Sequence, residues 1–195
     1  MSIQQELTAF VNNISAADAG YESWGKVNVR RIAIRDGKSF YTSNALRASD
    51  IMPLTPVSEE DKLLIAIFAA RKNINCVMIT AQEYGSTLKE EVPPILDDQA
   101  QLLGVSIKVA RDNTTGAALK SLNSRYASVL PDGRCLCIGG TVDDAYIAAQ
   151  LLEKTTKAWI EAKYLGGAKS INRLEAWAMQ MYFQFKYKKE AKKNR

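Results

Sequence analysis

The chain has 195 residues, 47% of them hydrophobic and 24% charged, which excludes a disordered, collagen-like or coiled-coil protein. A chain of this length is predicted to form one domain that can fold without disulfide bonds or structural metals. It contains no histidine, so a His-based triad, an imidazole general base and a His-ligated metal are all excluded. The net charge of +5 equals the excess of the last ten residues, which hold six Lys or Arg and one Glu; a solvated tail of this kind argues against nucleic acid as a partner.

The first part of the chain is predicted to be a helix followed by a β-hairpin. Ser2 and Gln5 form a capping-box pattern, and apolar residues follow them at helical spacing. Residues 27–34 and 39–42 are predicted strands, joined by a turn at Asp36-Gly37. The first strand alternates apolar residues with Asn28, Arg30 and, less regularly, Arg31.

The next segment is predicted to be a loop, a helix and a buried strand. Residues 52–56 contain two prolines and are expected to be a loop. Ser58 is the expected N-cap of a helix, because three acidic residues that favour the helix dipole follow it: Glu59, Glu60 and Asp61. Residues 74–80 are mostly apolar, which is typical of a central strand.

The following segment is predicted to alternate helices and strands. Pro93-Pro94 is expected to open a helix that Gly104 ends. A strand at residues 105–110 and a helix at residues 115–122 are expected next.

The last part is predicted to be a hairpin and two helices. Residues 126–130 and 134–138 are expected strands around the turn Pro131-Asp132-Gly133. A long helix over residues 142–165 should end at Gly166-Gly167, and a final helix should start near Ser170. Residues 1–187 are thus expected to form a single domain, with residues 188–195 as a basic flexible tail.

This order of elements predicts an α/β fold, a three-layer α/β/α sandwich with a mixed, mainly antiparallel central sheet. Tight turns between strands argue against a Rossmann fold. The sequence has no G-x-G-x-x-G or P-loop pattern, so dinucleotide and NTP binding have no support.

The cysteines and the apolar runs indicate in which cellular compartment the protein is expected. Cys76, Cys135 and Cys137 are odd in number and lie in apolar runs, so we expect buried thiols, with Cys135 and Cys137 on one strand face. Residues 1–9 lack a basic signal-peptide start, and the longest apolar run, residues 63–70, is too short to cross a bilayer. A cytoplasmic protein without a membrane partner is expected.

Three segments together resemble the class II aldolase/adducin-head family. They are residues 64–80, the stretch Val92 to Gly104, and residues 133–167, which include Gly139-Gly140-Thr141 and Leu151-Leu152-Glu153. The resemblance covers most of the chain in order, and it implies the same class II aldolase/adducin-like sandwich.

Active members of the resembled family are zinc lyases with three histidine ligands, and this sequence departs from that pattern. The ligand positions fall on Ile79, Ala81 and Asp132. Ile and Ala have no donor atoms, and one carboxylate cannot hold a catalytic zinc that needs three protein ligands. We therefore expect no zinc and no other cofactor.

The resemblance also suggests residues for a catalytic proton and for a substrate phosphate. The family's catalytic Glu falls on Glu60, although acidic residues also gather in first helical turns for dipole reasons alone. Glu59 would repel a phosphate. The candidate substrate-binding positions are Gly25, Lys26, Asn28, Ser43, Asn44, Ser58 and Asp132.

Two substitutes for the zinc chemistry remain open. Oxygen ligands suited to Mg²⁺, Ca²⁺ or Mn²⁺ would cluster if the fold brings together Glu60, Gln82, Glu83 and Asp132. Lys26 could supply a fixed positive charge instead. Possible proton donors are Tyr84, Tyr182 and Tyr187.

The sequence thus leads to two hypotheses. The first is a pseudo-aldolase that is inactive as a zinc aldolase and instead self-assembles or binds a small molecule, with a phosphorylated compound as the candidate. The second is a sugar-phosphate lyase or epimerase-like enzyme that uses Glu60 with a different metal or none.

The last helix carries more apolar residues than one face can bury, which predicts a homo-oligomer, and the resemblance implies a tetramer.

Overall fold

One seven-stranded sheet organises the computed structural model, which describes residues 26–43 and 50–193, with side chains as far as Lys186. Its strands are β1 (Val27–Asp36), β2 (Ser39–Ser43), β3 (Met52–Pro53), β4 (Cys76–Gln82), β5 (Lys108–Val109), β6 (Ala127–Val129) and β7 (Cys135–Gly139). They lie in the order β3-β2-β1-β4-β7-β6-β5. Every neighbouring pair is antiparallel except β5 and β6, so the predicted mixed, mainly antiparallel sheet is confirmed.

Helices cover both faces of this sheet. They are α1 (Glu59–Ala70), α2 (Thr115–Ser121), α3 (Val142–Tyr164) and α4 (Arg173–Lys193), together with a 3-10 turn (Gly85–Thr87) and a π-helix (Gln99–Leu103). Apolar residues of α1 and α2 pack in one core cluster, and those of α3 and the π-helix pack in the other. The three-layer α/β/α sandwich is therefore confirmed, and α4 packs against the π-helix.

The central strands contribute side chains to both cores, because successive side chains of a strand point to opposite faces of the sheet. On β4, Val77 and Ile79 join the core under α1, while Cys76 and Met78 join the core under α3. All three cysteines are free, buried thiols in the second core, as expected for small apolar side chains.

The first hairpin forms as predicted. Asp36 pairs with Ser39, which leaves a two-residue loop of Gly37 and Lys38. Gly37 has a φ of +57°, a left-handed conformation that costs glycine little. The hairpin at Asp132-Gly133 also forms, between β6 and β7.

Two local predictions were wrong. Residues 52–53 pair with β2 as a short edge strand instead of a loop, and Pro53 is tolerated there because an edge strand need not donate on its outer side. The helix expected from Pro93 starts later, because the Gln99 side chain accepts from the Ile95 N–H and donates to the Pro93 carbonyl, and these bonds hold residues 93–95 outside the helix.

The ends of the later helices follow the sequence signals. Gly104 ends the π-helix with a φ of +109°, and Gly166 and Gly167 follow α3 with positive φ. The strand predicted at residues 105–110 is regular only at Lys108–Val109. The backbone is helical as far as Lys193, and the flexibility of the tail stays a prediction.

Some predictions fall beyond these residues. The first predicted helix and the candidate residues Gly25 and Asn44 lie outside the described part of the chain. Within the described part, no helix has the length and apolar character that a membrane span requires.

Candidate functional site

The first turn of α1 positions the predicted catalytic residue. Ser58 caps this helix: its hydroxyl accepts from the Asp61 N–H at 3.0 Å, and the Asp61 carboxylate accepts from the Ser58 N–H at 2.7 Å. This capping box satisfies helix-end donors in both directions. Glu60 lies between these residues, one third exposed, at the end of the sheet where β4 ends and β7 begins.

Two arginines hold the Glu60 carboxylate. Arg31 Nη1 donates to Glu60 Oε1 at 3.0 Å, and Arg134 Nη1 donates to Glu60 Oε2 at 2.9 Å. Arg31 comes from β1 and Arg134 immediately precedes β7, so they reach Glu60 from the two neighbours of β4. Ile79 of β4 pairs with Arg31 on one side and with Leu136, two residues after Arg134, on the other.

Further carboxylates and a hydroxyl complete what we term the Glu60 ion cluster. Arg31 also donates to Asp61 and, through Nε, to Thr42 Oγ1 at 3.0 Å. Arg134 Nε and Nη2 contact Asp132 Oδ2 at 2.9 and 2.8 Å. The cluster thus contains two guanidinium groups and three carboxylates: Glu60, Asp61 and Asp132.

For three members of the cluster the surroundings favour the charged form: Asp61, Asp132 and Arg134. The hydrogen bond from the Ser58 hydroxyl is the main cause that lowers the pKa of Asp61 to about 2. Partial burial would raise the pKa of Asp132, but hydrogen bonds from Arg134 outweigh it and lower the pKa below its usual value. Hydrogen bonding to Asp132, and secondarily to Glu60, raises the pKa of Arg134.

The zinc that the resemblance implies does not fit this site. Ile79 is 1% exposed and packs in the core under α1, and Ala81 offers no donor atom. Asp132, at the third ligand position, bonds to Arg134. Among the described residues, no group of three or more Cys, Asp or Glu side chains is placed to hold a metal.

The alternative cluster of oxygen ligands forms only in part. Glu60 and Asp132 are brought together by their shared partner Arg134. Gln82 is buried on the opposite face, where its Nε2 donates to Thr80 Oγ1 and to the Ala149 carbonyl. Glu83 is exposed. The predicted four-residue oxygen site is therefore wrong for Gln82, whose strand position points away from α1.

The candidate phosphate-binding residues are scattered. Lys26 and Asn28 are exposed at the start of β1. Ser43 is 1% exposed and pairs with Ile32, whose side chain packs in the core under α3, away from Glu60. The Ser58 hydroxyl is engaged in the helix cap. Of the described candidates, Glu60, Ser58 and Asp132 lie together.

The spare proton donors also lie apart from Glu60. The Tyr84 N–H is bound by a residue of α3, and its ring lies under the Lys157 ammonium at 5.6 Å. Tyr182 is exposed on α4, and the side chain of Tyr187 lies beyond the described side chains.

Sequence reasoning missed Arg31 and Arg134. The irregular alternation around Arg31 was a usable signal, because the register of β1 shifts between Val29 and Arg31. A bulge of this kind re-aims side chains. For Arg134, the preceding Asp-Gly turn gave no indication that the side chain would reach α1.

A buried carboxylate on the α3 side of the sheet was also missed. Glu153 of α3 is 1% exposed, and its two oxygens accept from the Tyr84 and Gly85 N–H groups, both at 2.8 Å. Burial raises its pKa, while those hydrogen bonds oppose the shift. Glu153 thereby anchors the turn after β4. Nearby, burial raises the pKa of Cys135 to about 12, which leaves its thiol unreactive.

A separate apolar cavity of about 320 Å³ lies at the other end of the sheet, where β7 leads into α3. Leu102, Tyr126, Ile147 and Phe183 supply its apolar walls, and Asn73 its polar edge. None of the predicted site residues within the described part of the chain lines it.

Comparison with known proteins shows what the chain is similar to. The family model for the Class II Aldolase and Adducin N-terminal domain matches residues 10–160. No curated protein sequence is similar enough to match. Among solved structures, an L-fuculose 1-phosphate aldolase is 16% identical, with a TM-score of 0.77, covering 93% of this chain and 96% of that chain.

Two further solved structures are similar in fold. L-fuculose 1-phosphate aldolase from Glaciozyma antarctica PI12 is 18% identical with a TM-score of 0.68, covering 92% of this chain and 80% of that chain. An aldolase II superfamily protein from Pseudomonas syringae is 17% identical with a TM-score of 0.62, covering 94% and 86%. At these identities the likeness concerns the fold alone.

Proposed function

Because the chain belongs to the class II aldolase and adducin N-terminal domain family, we propose that it is a pseudo-aldolase, inactive in zinc-dependent aldol chemistry and active through self-assembly. The single observation that carries this proposal is the Glu60 ion cluster, in which both carboxylate oxygens of Glu60 accept from arginines. The cytoplasmic location expected from the sequence is part of the same proposal.

The chemistry of Glu60 supports the loss of this activity. A general base must offer a lone pair to the substrate proton, and both carboxylate oxygens of Glu60 already accept hydrogen bonds from arginines. The carbanion formed by proton removal also needs an electrophile to stabilise it. Ile79 and Ala81 cannot hold a zinc ion for that purpose.

An apolar surface that the described residues leave exposed supports self-assembly. On α4, Leu174, Trp177, Met181 and Phe185 follow one another at helical spacing and are 72%, 52%, 48% and 72% exposed. Ala176 and Gln180, on the opposite side of the helix, are buried. We call these four exposed residues the α4 apolar face. Surfaces of this kind usually mark interfaces, and we propose that a second copy of the chain covers it.

One observation favours a second candidate, a lyase or epimerase-like enzyme that uses Glu60 without zinc. The Arg134 side chain is one quarter exposed, and among the described residues its Nε donates to Asp132 and its Nη1 to Glu60. A guanidinium carries five N–H donors, so its remaining donors could stabilise an oxyanion. A substrate would have to displace the ion pairs of Glu60 to use it.

Zinc content and cleavage activity test the proposal. Protein purified without chelator should contain far less than one zinc per chain by elemental analysis. It should not cleave L-fuculose 1-phosphate or other ketose phosphates when zinc is added, while an active zinc aldolase in the same buffer does. Stoichiometric zinc, or cleavage that E60Q abolishes, would overturn the pseudo-aldolase proposal and favour the enzyme.

A further inference from the structure

The apolar cavity where β7 leads into α3 has the size of a small-molecule site. Its volume is about 320 Å³. At about 30 Å³ per water molecule in the liquid, this space would hold roughly ten waters, far more than the voids of an ordinary protein interior. Tyr126 and Phe183 contribute aromatic rings to its lining, and Leu102, Ile147 and Ala148 contribute aliphatic side chains. Such a lining is typical of ligand pockets.

Hydrogen bonds between separate elements hold the walls of this cavity in place. Gln180 of α4 is 4% exposed, and its Nε2 donates to the Ser124 carbonyl at 3.1 Å, which fixes α4 about one turn before Phe183. Before the start of α3, Asn75 Nδ2 donates to the Gly140 carbonyl at 3.0 Å. Anchored walls collapse little around an empty space, so the apolar lining stays available to a ligand.

The ring of Tyr126 is fixed as well. The Arg71 guanidinium lies over this ring, 5.1 Å from its centroid, and Arg71 Nη1 donates to the carbonyls of Leu122 and Arg125, both at 3.0 Å. Asn73 Nδ2 donates to the Tyr126 hydroxyl at 3.4 Å. The cavity thus has a preorganised aromatic wall, which reduces the entropic cost of binding.

The charges at the cavity disfavour an anionic ligand. Among the described residues that line it, Asp144 is the only charged one, and its carboxylate accepts from the Thr141 N–H at 3.1 Å as part of the α3 cap. Asp143 lies in the same first turn, so two carboxylates offset the positive end of the helix dipole. A carboxylate without a cation beside it in the lining repels an anion.

Two carboxamides give the cavity a neutral polar edge. Gln101 and Gln184 are half-buried in its lining, and neither side chain has a hydrogen bond to another described residue. A carboxamide offers both donors and an acceptor. An uncharged hydrogen-bonding group on a ligand therefore has a partner at this edge.

We propose that this cavity binds an uncharged, mainly apolar small molecule that carries an aromatic ring and one hydrogen-bonding group. The ring packs against Tyr126 and Phe183, and the polar group bonds to the carboxamide of Gln101 or Gln184. The inference goes beyond the proposed function, because neither Glu60 nor the α4 apolar face lines the cavity.

A pair of fluorescent probes tests the size and charge of the ligand. N-phenyl-1-naphthylamine is uncharged and fluoresces strongly in apolar surroundings, and 8-anilinonaphthalene-1-sulfonate has the same rings with an added sulfonate. We expect the neutral probe to bind saturably to the unaltered protein, at about one molecule per chain. Its dissociation constant should be at least about tenfold below that of the sulfonate.

Variants of α3 locate the binding. A148F places a ring in the cavity and should weaken binding of the neutral probe at least about tenfold. A162F is the matched control, because it makes the same exchange about 20 Å further along α3, at a half-buried residue outside the lining. Ile147 is 42% exposed, so I147E should fold and still weaken the probe at least about fivefold by placing a charge against it. If A148F does not fold, I147E decides the test.

W177E separates the cavity from the α4 apolar face. It removes an exposed ring outside the lining and should bind the neutral probe as the unaltered protein does. Four results would overturn the inference: no saturable binding, equal affinity for the sulfonate, unchanged affinity in I147E, or loss of binding in W177E. None of them bears on zinc content or ketose-phosphate cleavage, which test the proposed function separately.

Discussion

Arg134 Nη1 donates to Glu60 Oε2 across 2.9 Å, which joins the residue preceding β7 to the first turn of α1. The two residues are 74 positions apart in the chain. This contact, together with the one from Arg31, attaches α1 to both neighbours of β4 at the end of the sheet where the candidate site lies.

We expect the Glu60–Arg134 pair to stabilise the fold measurably. A double-mutant cycle with E60Q and R134A, followed by urea unfolding, should give a coupling energy of about 1 kcal/mol, because the pair belongs to a partly buried network. Glu59 and Lys62 form the matched control on the same helix, an exposed pair three residues apart, with an expected coupling below about 0.5 kcal/mol. Equal couplings would contradict the network.

Stability should fall in acid through Asp61. Its pKa is about 2 in the folded protein, against an ordinary value of 3.8. Between these values the unfolded chain binds more protons, so the free energy of unfolding rises with pH. The contribution is complete above the ordinary value and is lost as the pH falls toward 2.

Urea unfolding at a series of pH values checks this dependence. D61N should weaken the dependence of the free energy of unfolding on pH between pH 2 and about 4, as the linkage relation requires. S58A should reduce the slope as well, because the Ser58 hydroxyl is the main cause of the shift, and it should cost about 1 kcal/mol as a lost helix cap. An unchanged slope in both variants would disprove the assignment to Asp61.

Gly139 should not tolerate a side chain. A Cβ there would lie 2.4 Å from the Ala145 nitrogen and 2.6 Å from the Asp144 Cβ, in the first turn of α3. G139A should therefore lose about 1–3 kcal/mol or more of stability by overpacking. At Gly116 of α2 a Cβ meets open space, so G116A should be neutral or stabilise by about 0.5–1 kcal/mol. Thermal unfolding should give G139A a lower Tm than the unaltered protein and G116A an equal or higher Tm.

The α4 apolar face should hold the oligomer together. Light scattering at micromolar concentration should show more than one copy for the unaltered protein. W177E should lower the mass toward one copy, because it places a charge in a desolvated contact. V57E, at a residue that is 82% exposed before α1, should leave the mass unchanged. A monomeric unaltered protein would refute self-assembly.

Elements with strong local signals were predictable. The hairpin around Gly37, the cap at Ser58 and the end of α3 at Gly166 follow from turn and capping residues that act within a few positions. The late start of the π-helix was not predictable. The Gln99 side chain bonds to Pro93 and Ile95 and keeps residues 93–95 out of the helix, although Pro usually favours a helix start.

Only the acidic residues of the candidate site were predictable from the sequence. The resemblance led to Glu60 and Asp132, which the structure brings together, but also to Ser43 and Gln82, which point away from Glu60. A position on a strand does not determine its face until the register is known, since a shift by one residue reverses every side chain.

The sequence by itself determined that no histidine could bind zinc and that Ile79 and Ala81 could not replace one, because donor atoms are a property of residue type. It also determined most helices and strands, whose periodicity is a local property. Only the tertiary structure decided which cations neutralise Glu60. Arg31 and Arg134 lie 29 and 74 residues from Glu60 along the chain. Such pairings depend on strand order, on register and on where α1 packs against the sheet, and the local sequence determines none of these.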